Sequence, residues 1–353
     1  PAQPGYPPPP PWAAYPPPRP PRRSRRGCLI VLLIAAVILI VGIISAGSGV
    51  AGASLAAGGG RGIEETLIAG DPTAPNTIAV IDVKGLITSA DTLDAASTSR
   101  INAALSVAGK REDIVAVVLD MNTPGGEVIA SDEIHHAVQT LRQSGKPVVT
   151  CMRALSASGG YYIAAGTDWI VANRMTLTGS IGVIMGSVNY AELLDTIGVK
   201  PRIYKSGEMK DLLNGAVASD EKRRAAEDRI LNTLINDTFA EFASIVAQGR
   251  GFASADAVRN AKFGDGRILS GEQALEVDLV DQLGYFADAV DKAGSLAAAP
   301  GAKVVRLHVR VGVIDRLLGM TGGENPLAAA LAPPELRALK PGNLYFLMAH
   351  AVE

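Results

Sequence analysis

Ser158, in Ala157-Ser-Gly-Gly-Tyr-Tyr162, has the setting of a nucleophile. It precedes two glycines at the point where an apolar run gives way to a helical pattern. A serine hydroxyl attacks a carbonyl only with a base in hydrogen-bond reach. The usual imidazole is badly placed, because no histidine occurs between Ala137 and Leu307. His135 and His136 are neighbours on a predicted helix, diverge in direction and read as structural, as do Asp132 and Glu133, a solvated helix face. A lysine can replace the imidazole, and Lys210 stands in Lys205-Ser-Gly-Glu-Met-Lys-Asp211 with Met209, Leu212 and Leu213 around it. A lysine is a base only when neutral, so its value must fall from about 10.4 by desolvation. Asp211 must then point away from it. Ser156 and Lys205 are the runners-up.

Acyl transfer also needs donors aimed at the oxygen on which negative charge develops. The N–H of Gly159, at a helix N-terminus, is one candidate. The turn Pro124-Gly125-Gly126 is a second, since without a Cβ its backbone can approach a ligand closely. Each turn alone is common chemistry. Two such turns after successive strands add to the combination of Ser158 and Lys210, which points to a serine–lysine hydrolase.

The elements that must carry these residues alternate. Thr77–Val83 reads as a strand, Asp91–Ala108 as a helix and Ile114–Met121 as a buried strand. Glu127–Gln143 reads as a helix, Pro147–Met152 as a strand and Gly159–Ala165 as a helix opening. Trp169–Tyr204 reads as two strands and a short helix. Strand, glycine turn and helix in alternation argue an α/β fold with a mostly parallel sheet, whose ligands bind beyond the strand ends. Ser219–Gly249 is the longest helical pattern. Its Ile230, Leu234, Ile235, Phe239, Phe242, Ile245 and Val246 form a core-packing stripe.

The chain has 353 residues, 48% of them apolar, ample for a large core. Net charge is −2, and Arg19, Arg22, Arg23, Arg25 and Arg26 of the tail leave −7 for the rest, which excludes a nucleic-acid binder by charge. Cys28 and Cys151 have no metal-ligand spacing, and a disulfide framework is not expected. No metal or cofactor is expected.

Twelve of the first 21 residues are proline, so residues 1–27 read as a disordered, Pro-rich cytoplasmic tail ending in the arginine cluster. Residues 28–50 carry no charge and are long enough for a transmembrane helix. The arginines before it mark that side as cytoplasmic and set the catalytic part outside. A cleaved signal peptide, ending at Ala51-Gly-Ala53, is the competing reading. Residues 51–75 read as a linker, 76–300 as the catalytic domain, and 301–353 as a C-terminal segment whose role stays open.

The chain resembles the signal peptide peptidase A (protease IV type) group of membrane-anchored serine–lysine proteases, in its short single-unit form. The carriers are Leu119-Asp-Met-Asn-Thr-Pro-Gly-Gly126, Ala157-Ser-Gly-Gly-Tyr-Tyr-Ile-Ala-Ala165, Leu177-Thr-Gly-Ser-Ile-Gly-Val183, Lys205–Asp211 and Ser270–Gly284, five motifs in order from about Thr77 to Gly284. The resemblance implies a Clp-protease/crotonase-like fold of stacked strand–strand–helix units. It implies Ser158 as nucleophile, Lys210 as base, and oxyanion donors at Gly125, Gly126 and Gly159. Peptides, cleaved signal peptides among them, are the implied partners. A cyclic homo-oligomer, with serine and lysine meeting between protomers, is the implied assembly. Thr123 stands where the family more often has serine, Asp278 where it usually has glycine, and Leu336–Glu353 matches loosely. A related membrane protease with another substrate fits the same dyad. A crotonase-like acyl-coenzyme A enzyme would need neither Ser158 nor Lys210, and an anchor facing outward argues against it. An inactive scaffold is disfavoured by the presence of both dyad residues.

Overall fold

The computed structural model describes residues 62–90, 95–309 and 344–347. The Pro-rich tail, the expected span 28–50 and most of the C-terminal segment lie outside them. Among the described residues no helix is long and apolar enough to cross a membrane.

The described residues open with β1 (Ile63–Ala69), β2 (Thr77–Lys84) and two short strands, β3 (Ile87–Thr88) and β4 (Ala96–Ser97). Helix α1 (Thr98–Lys110) leads to β5 (Ile114–Thr123), β6 (Gly125–Glu127) and α2 (Val128–Gln143). Then come β7 (Val148–Ala157), α3 (Gly159–Ala165), β8 (Trp169–Ala172), β9 (Leu177–Gly179) and α4 (Ala191–Thr196). The long α5 (Glu221–Arg250) precedes α6 (Ala255–Asn260), β10 (Ile268–Ser270), α7 (Gly271–Glu276), β11 (Gln282–Leu283) and α8 (Phe286–Leu296). Strands β12 (Lys303–Val309) and β13 (Tyr345–Leu347) follow.

The main sheet runs β1-β12-β2-β5-β7-β8-β11, with β9 pairing both β7 and β10. From β12 across to β11 all pairings are parallel. Its central strands are covered on both faces, so they read as continuous apolar runs. Ile78, Val80, Ala116, Val118 and Val149 face Ala289 and Ala293 of α8. The alternate residues Ala79, Ile81, Val117 and Leu119 face the helices on the other side. There α1 buries Ile101, Ala104, Leu105 and Ala108, and α2 buries Ala130, Ile134, Val138 and Leu141. Both sets are spaced by three and four, the apolar stripe of a helix on a sheet. A small second sheet, β13-β6-β3-β4, stands beyond the strand ends.

Several expected boundaries move. The linker expected over 51–75 contains β1, which pairs antiparallel with β12 at the sheet edge. The domain does not end at 300, because β12 lies between β1 and β2. The helix expected from Asp91 starts at Thr98, since Ala96–Ser97 is held as a strand against Ile87–Thr88; Asp91–Asp94 lie outside the described residues. Glu127 belongs to β6 rather than to α2. Helix α5 begins two residues after Ser219, at Glu221, where the Asp220 side chain accepts the Arg223 N–H at 2.7 Å, and it is capped by Gly251 in the left-handed region. Its stripe packs only over the second half: Phe242, Ala243, Val246 and Ala247 are buried, whereas Ile230 and Leu234 are exposed.

Candidate active site

Ser158 is the residue between β7 and α3, with φ 53° and ψ −113°. For a residue with a Cβ this is a costly conformation, and such strain recurs at nucleophiles on sharp strand-to-helix turns. Two backbone bonds and a strand pairing hold it. Its N–H donates to the Gly179 carbonyl at 2.8 Å, its carbonyl accepts the Tyr162 N–H at 2.8 Å, and β9 pairs with β7 just before it, Ala157 opposite Gly179. The serine is 1% exposed, and its Oγ is buried without a hydrogen-bond partner among the described residues. An unpaired buried hydroxyl costs about 1–3 kcal/mol.

The two tyrosines that follow anchor the turn. The Tyr161 hydroxyl donates to the Leu279 carbonyl and the Tyr162 hydroxyl to the Asp132 carboxylate, each at 2.7 Å. Burial pushes both phenols up. Asp132, read from sequence as a solvated face, therefore has a structural task. His135 is buried with its ring edge-on to Tyr162, and burial lowers its value; His136 is exposed. The buried His135 fits the structural reading.

The two glycine turns meet. A Cβ built on Gly159 would stand 3.2 Å from the Gly126 nitrogen, and one on Gly125 would stand 2.7 Å from the Gly159 nitrogen. Both sites exclude side chains: the Gly126 position would be 1.9 Å from the Ile87 carbonyl oxygen, and Gly125 adopts φ 100°. Gly125 departs from its expected role as a donor, because its N–H is given to the Thr123 hydroxyl at 3.1 Å. Thr123 thus closes the turn from within, and its methyl group lies against Gly160. Sequence reasoning missed that cap; a hydroxyl two residues before the glycine was the available signal. Gly126 and Gly159 are left facing one another beside Ser158.

Lys210 lies elsewhere in the arrangement. It is exposed on a turn, and the Ser158 hydroxyl, having no partner, makes no bond to it within this chain. Asp211 does point away: its carboxylate bonds Arg223 at 2.6 Å and Lys205 at 2.7 Å. Those bonds, Arg223 first, hold the Asp211 carboxyl down at about 2. Lys205 is therefore tied into an ion-pair clasp, and Ser156 is buried under the turn with its hydroxyl toward the Met121 sulfur. Neither runner-up is as free as Ser158 and Lys210. Among the described residues no three His, Cys, Asp or Glu side chains gather as a metal site.

The sequence over this part of the chain, residues 140–299, matches the pattern of Peptidase family S49. The match covers a little under half of the chain. Ser158, Lys210 and the Trp169–Tyr204 excursion all fall within the S49 match, whereas Gly125 and Gly126 precede it. A protein of Enterococcus faecium provisionally named signal peptide peptidase SppA is 39% identical over 178 residues, 50% of each chain. Protease 4 of Haemophilus influenzae is 33% identical over 223 residues, 63% of this chain and 35% of that one. A Synechocystis protein provisionally named a protease is 43% identical over 190 residues, 54% of this chain and 65% of that one. The chain thus spans about half the length of the first relative and a third of the second. Among solved structures, a lysine-to-alanine mutant of a membrane-bound stomatin-specific protease in complex with a substrate peptide covers 70% of this chain at 19% identity and TM-score 0.42.

Proposed function

We propose that this chain is a serine endopeptidase whose nucleophile is Ser158 and whose base is Lys210, acting on extended apolar peptides such as signal peptides left in a bilayer. The observation that carries the reading is the Ser158 hydroxyl, buried, unpartnered and held in a strained turn beside Gly126 and Gly159. In this reading Lys210 takes the hydroxyl proton as Ser158 attacks the scissile carbonyl. The N–H groups of Gly126 and Gly159 receive the oxyanion, and the protonated amine then returns the proton to the leaving nitrogen. Water repeats the cycle on the acyl-enzyme.

The base comes from a second copy of the chain. Two observations support this: the Ser158 hydroxyl has no hydrogen-bond partner among the described residues, and Lys210 lies on a segment rich in exposed apolar side chains. Val188, Leu193, Ile197, Val199 and Tyr204 are exposed there, with Ile230 and Leu234 of α5. Exposed apolar surface on this scale marks an interaction face. We read the assembly as a cyclic homo-oligomer tethered by residues 28–50, with the tail inside the cytoplasm and the catalytic part outside.

The test mixes Ser158→Ala subunits with Lys210→Ala subunits and follows cleavage of a signal-peptide-like substrate. Each variant alone should be inactive, and the co-assembled mixture should recover a fraction of activity. Cleavage by Ser158→Ala alone would overturn the nucleophile. No recovery despite co-assembly would place the dyad in one chain.

A further inference from the structure

The hydroxyl of Ser131 stands beside the serine turn without a task of its own so far. Ser131 lies on the first turn of α2, is 0% exposed, and donates to the Glu127 carbonyl at 3.0 Å. That is a back-bond along the helix, from one residue to the fourth before it. Glu127 is the N-cap of α2, and the carbonyl of an N-cap already accepts the first backbone bond of its helix. The hydroxyl can therefore turn away without stranding its acceptor. Glu127 itself is fixed, because its carboxylate accepts the Thr88 hydroxyl at 3.1 Å and the Ser89 N–H and hydroxyl at 2.9 and 2.7 Å.

The position of this hydroxyl gives it a second acceptor. The point where a Cβ on Gly159 would stand lies 2.5 Å from the Ser131 Oγ and 3.2 Å from the Gly126 nitrogen. Glycine leaves that point vacant. It is one bond length from the backbone of the residue after Ser158, so it adjoins the place of the carbonyl oxygen of an acyl group on Ser158. The spacings are those of hydrogen bonds to an oxyanion, about 2.5–2.7 Å from a hydroxyl and about 2.7–3.2 Å from an N–H. A carbonyl oxygen of the chain itself, that of Phe346, lies 3.2 Å from the same point, so the space accepts an oxygen of this kind. Any side chain at Gly159 would close it, and the Ser131 Oγ is the first atom it would strike.

We propose that Ser131 is a further catalytic residue, whose hydroxyl turns from the Glu127 carbonyl to the oxyanion and completes a three-donor site with the N–H groups of Gly126 and Gly159. The inference rests on the peptidase reading. Unlike the two backbone donors, a hydroxyl is free to rotate. Glu127 holds it in the resting chain, and the developing charge on the acyl oxygen draws it over. Its bond to substrate is then stronger in the transition state than in the ground state, which raises kcat rather than lowering KM. No proton leaves Ser131 in this step; one hydrogen bond is exchanged for another.

The experiment compares the full chain with Ser131→Ala and Thr140→Ala. The substrate is a fluorogenic apolar peptide amide, and the inhibitor is the matching peptide boronic acid, whose tetrahedral adduct with Ser158 puts an oxygen in the same place. Thr140 makes the same kind of back-bond on α2, to the His136 carbonyl at 3.0 Å, but on the exposed face. Ser131→Ala should lower kcat at least about tenfold with KM within about twofold, and weaken the boronic acid by a like factor. Thr140→Ala should change neither. An unchanged kcat in a folded Ser131→Ala chain would overturn the proposal, and so would a loss confined to KM or an equal loss in Thr140→Ala. If Ser131→Ala does not fold, Ser131→Cys decides: the thiol fills the space but is a weak donor, so the same fall in kcat is expected and an unchanged kcat overturns the proposal. Cleavage by the parent with kcat indifferent to Ser131 sinks this inference alone. A parent that neither cleaves the peptide nor takes up the boronic acid sinks the peptidase reading itself and, with it, the role of Ser131.

Discussion

The Tyr161 hydroxyl reaches the Leu279 carbonyl at 2.7 Å across 118 residues of sequence, tying the helix that begins at Ser158 to the segment before β11. Both groups are buried. Tyr161→Phe removes the donor and leaves the carbonyl without it in an apolar setting. The expected cost is about 1–2 kcal/mol, read as a fall of a few degrees in Tm. An unchanged Tm would show that this bond contributes nothing net.

Gly249 of α5 lies against α3, where an added Cβ would stand 1.8 Å from the Ala165 carbonyl oxygen. A backbone atom cannot swing aside as a side chain can. Helix propensity favours Gly249→Ala by about 1 kcal/mol, whereas forcing a methyl into a closed contact costs about 1–3 kcal/mol or more. The variant should therefore lose stability, while Gly207→Ala, with open space around it, should stay within about 0.5 kcal/mol of the parent. Denaturant midpoints at constant slope check both. A neutral Gly249→Ala would mean that α5 and α3 can part without cost.

The Lys205–Asp211–Arg223 clasp predicts an acid-sensitive loop. The Asp211 carboxyl is depressed to about 2, first by the Arg223 bond and then by Lys205. A depressed carboxyl favours the folded loop above its unfolded value near 3.9, and that contribution is lost as pH falls through about 2. Carbon-13 NMR of the Asp211 carboxyl should titrate near that value, and Arg223→Gln should move the midpoint up toward 3.9. A midpoint that ignores Arg223→Gln would break the clasp as the cause.

Cys151 lies in β7 under α8, and burial pushes its thiol up to about 11. Only the thiolate is nucleophilic, so the folded chain should resist thiol reagents at pH 8. In a Cys28→Ser chain, labelling of Cys151 by a disulfide reagent should follow the denaturant unfolding curve. Rapid labelling in native buffer would show that β7 opens locally.

The strands that stand in the middle of the sheet were legible from the sequence, and those at its margins were not. β2, β5 and β7 are β-branched runs covered on both faces, so composition alone reports them. β1 reads Ile-Glu-Glu-Thr-Leu-Ile-Ala and is mostly exposed; it is a strand only because β12 pairs with it. β13 is three residues long and owes its form to Gly126 and Ile184. Pairing over hundreds of residues leaves no local signature. For the site, Ser158 and its glycines were visible as turn chemistry. The Thr123 cap and the engagement of Gly125 were not, because each depends on which backbone groups face one another after folding.

β12 enters the sheet between β1 and β2, so β2 has one flank made of residues 114–123 and the other of residues 303–309. During synthesis or export the chain delivers these neighbours nearly two hundred residues apart. Until residue 309 arrives, β2 carries an open row of N–H and C=O groups, and an open row invites pairing with other chains. This flank of the sheet closes only by capture of β12, a strand made long after β2. The central sheet thus acquires its partner for the second flank of β2 only after every residue of the Ser158–Lys210 segment has already been made.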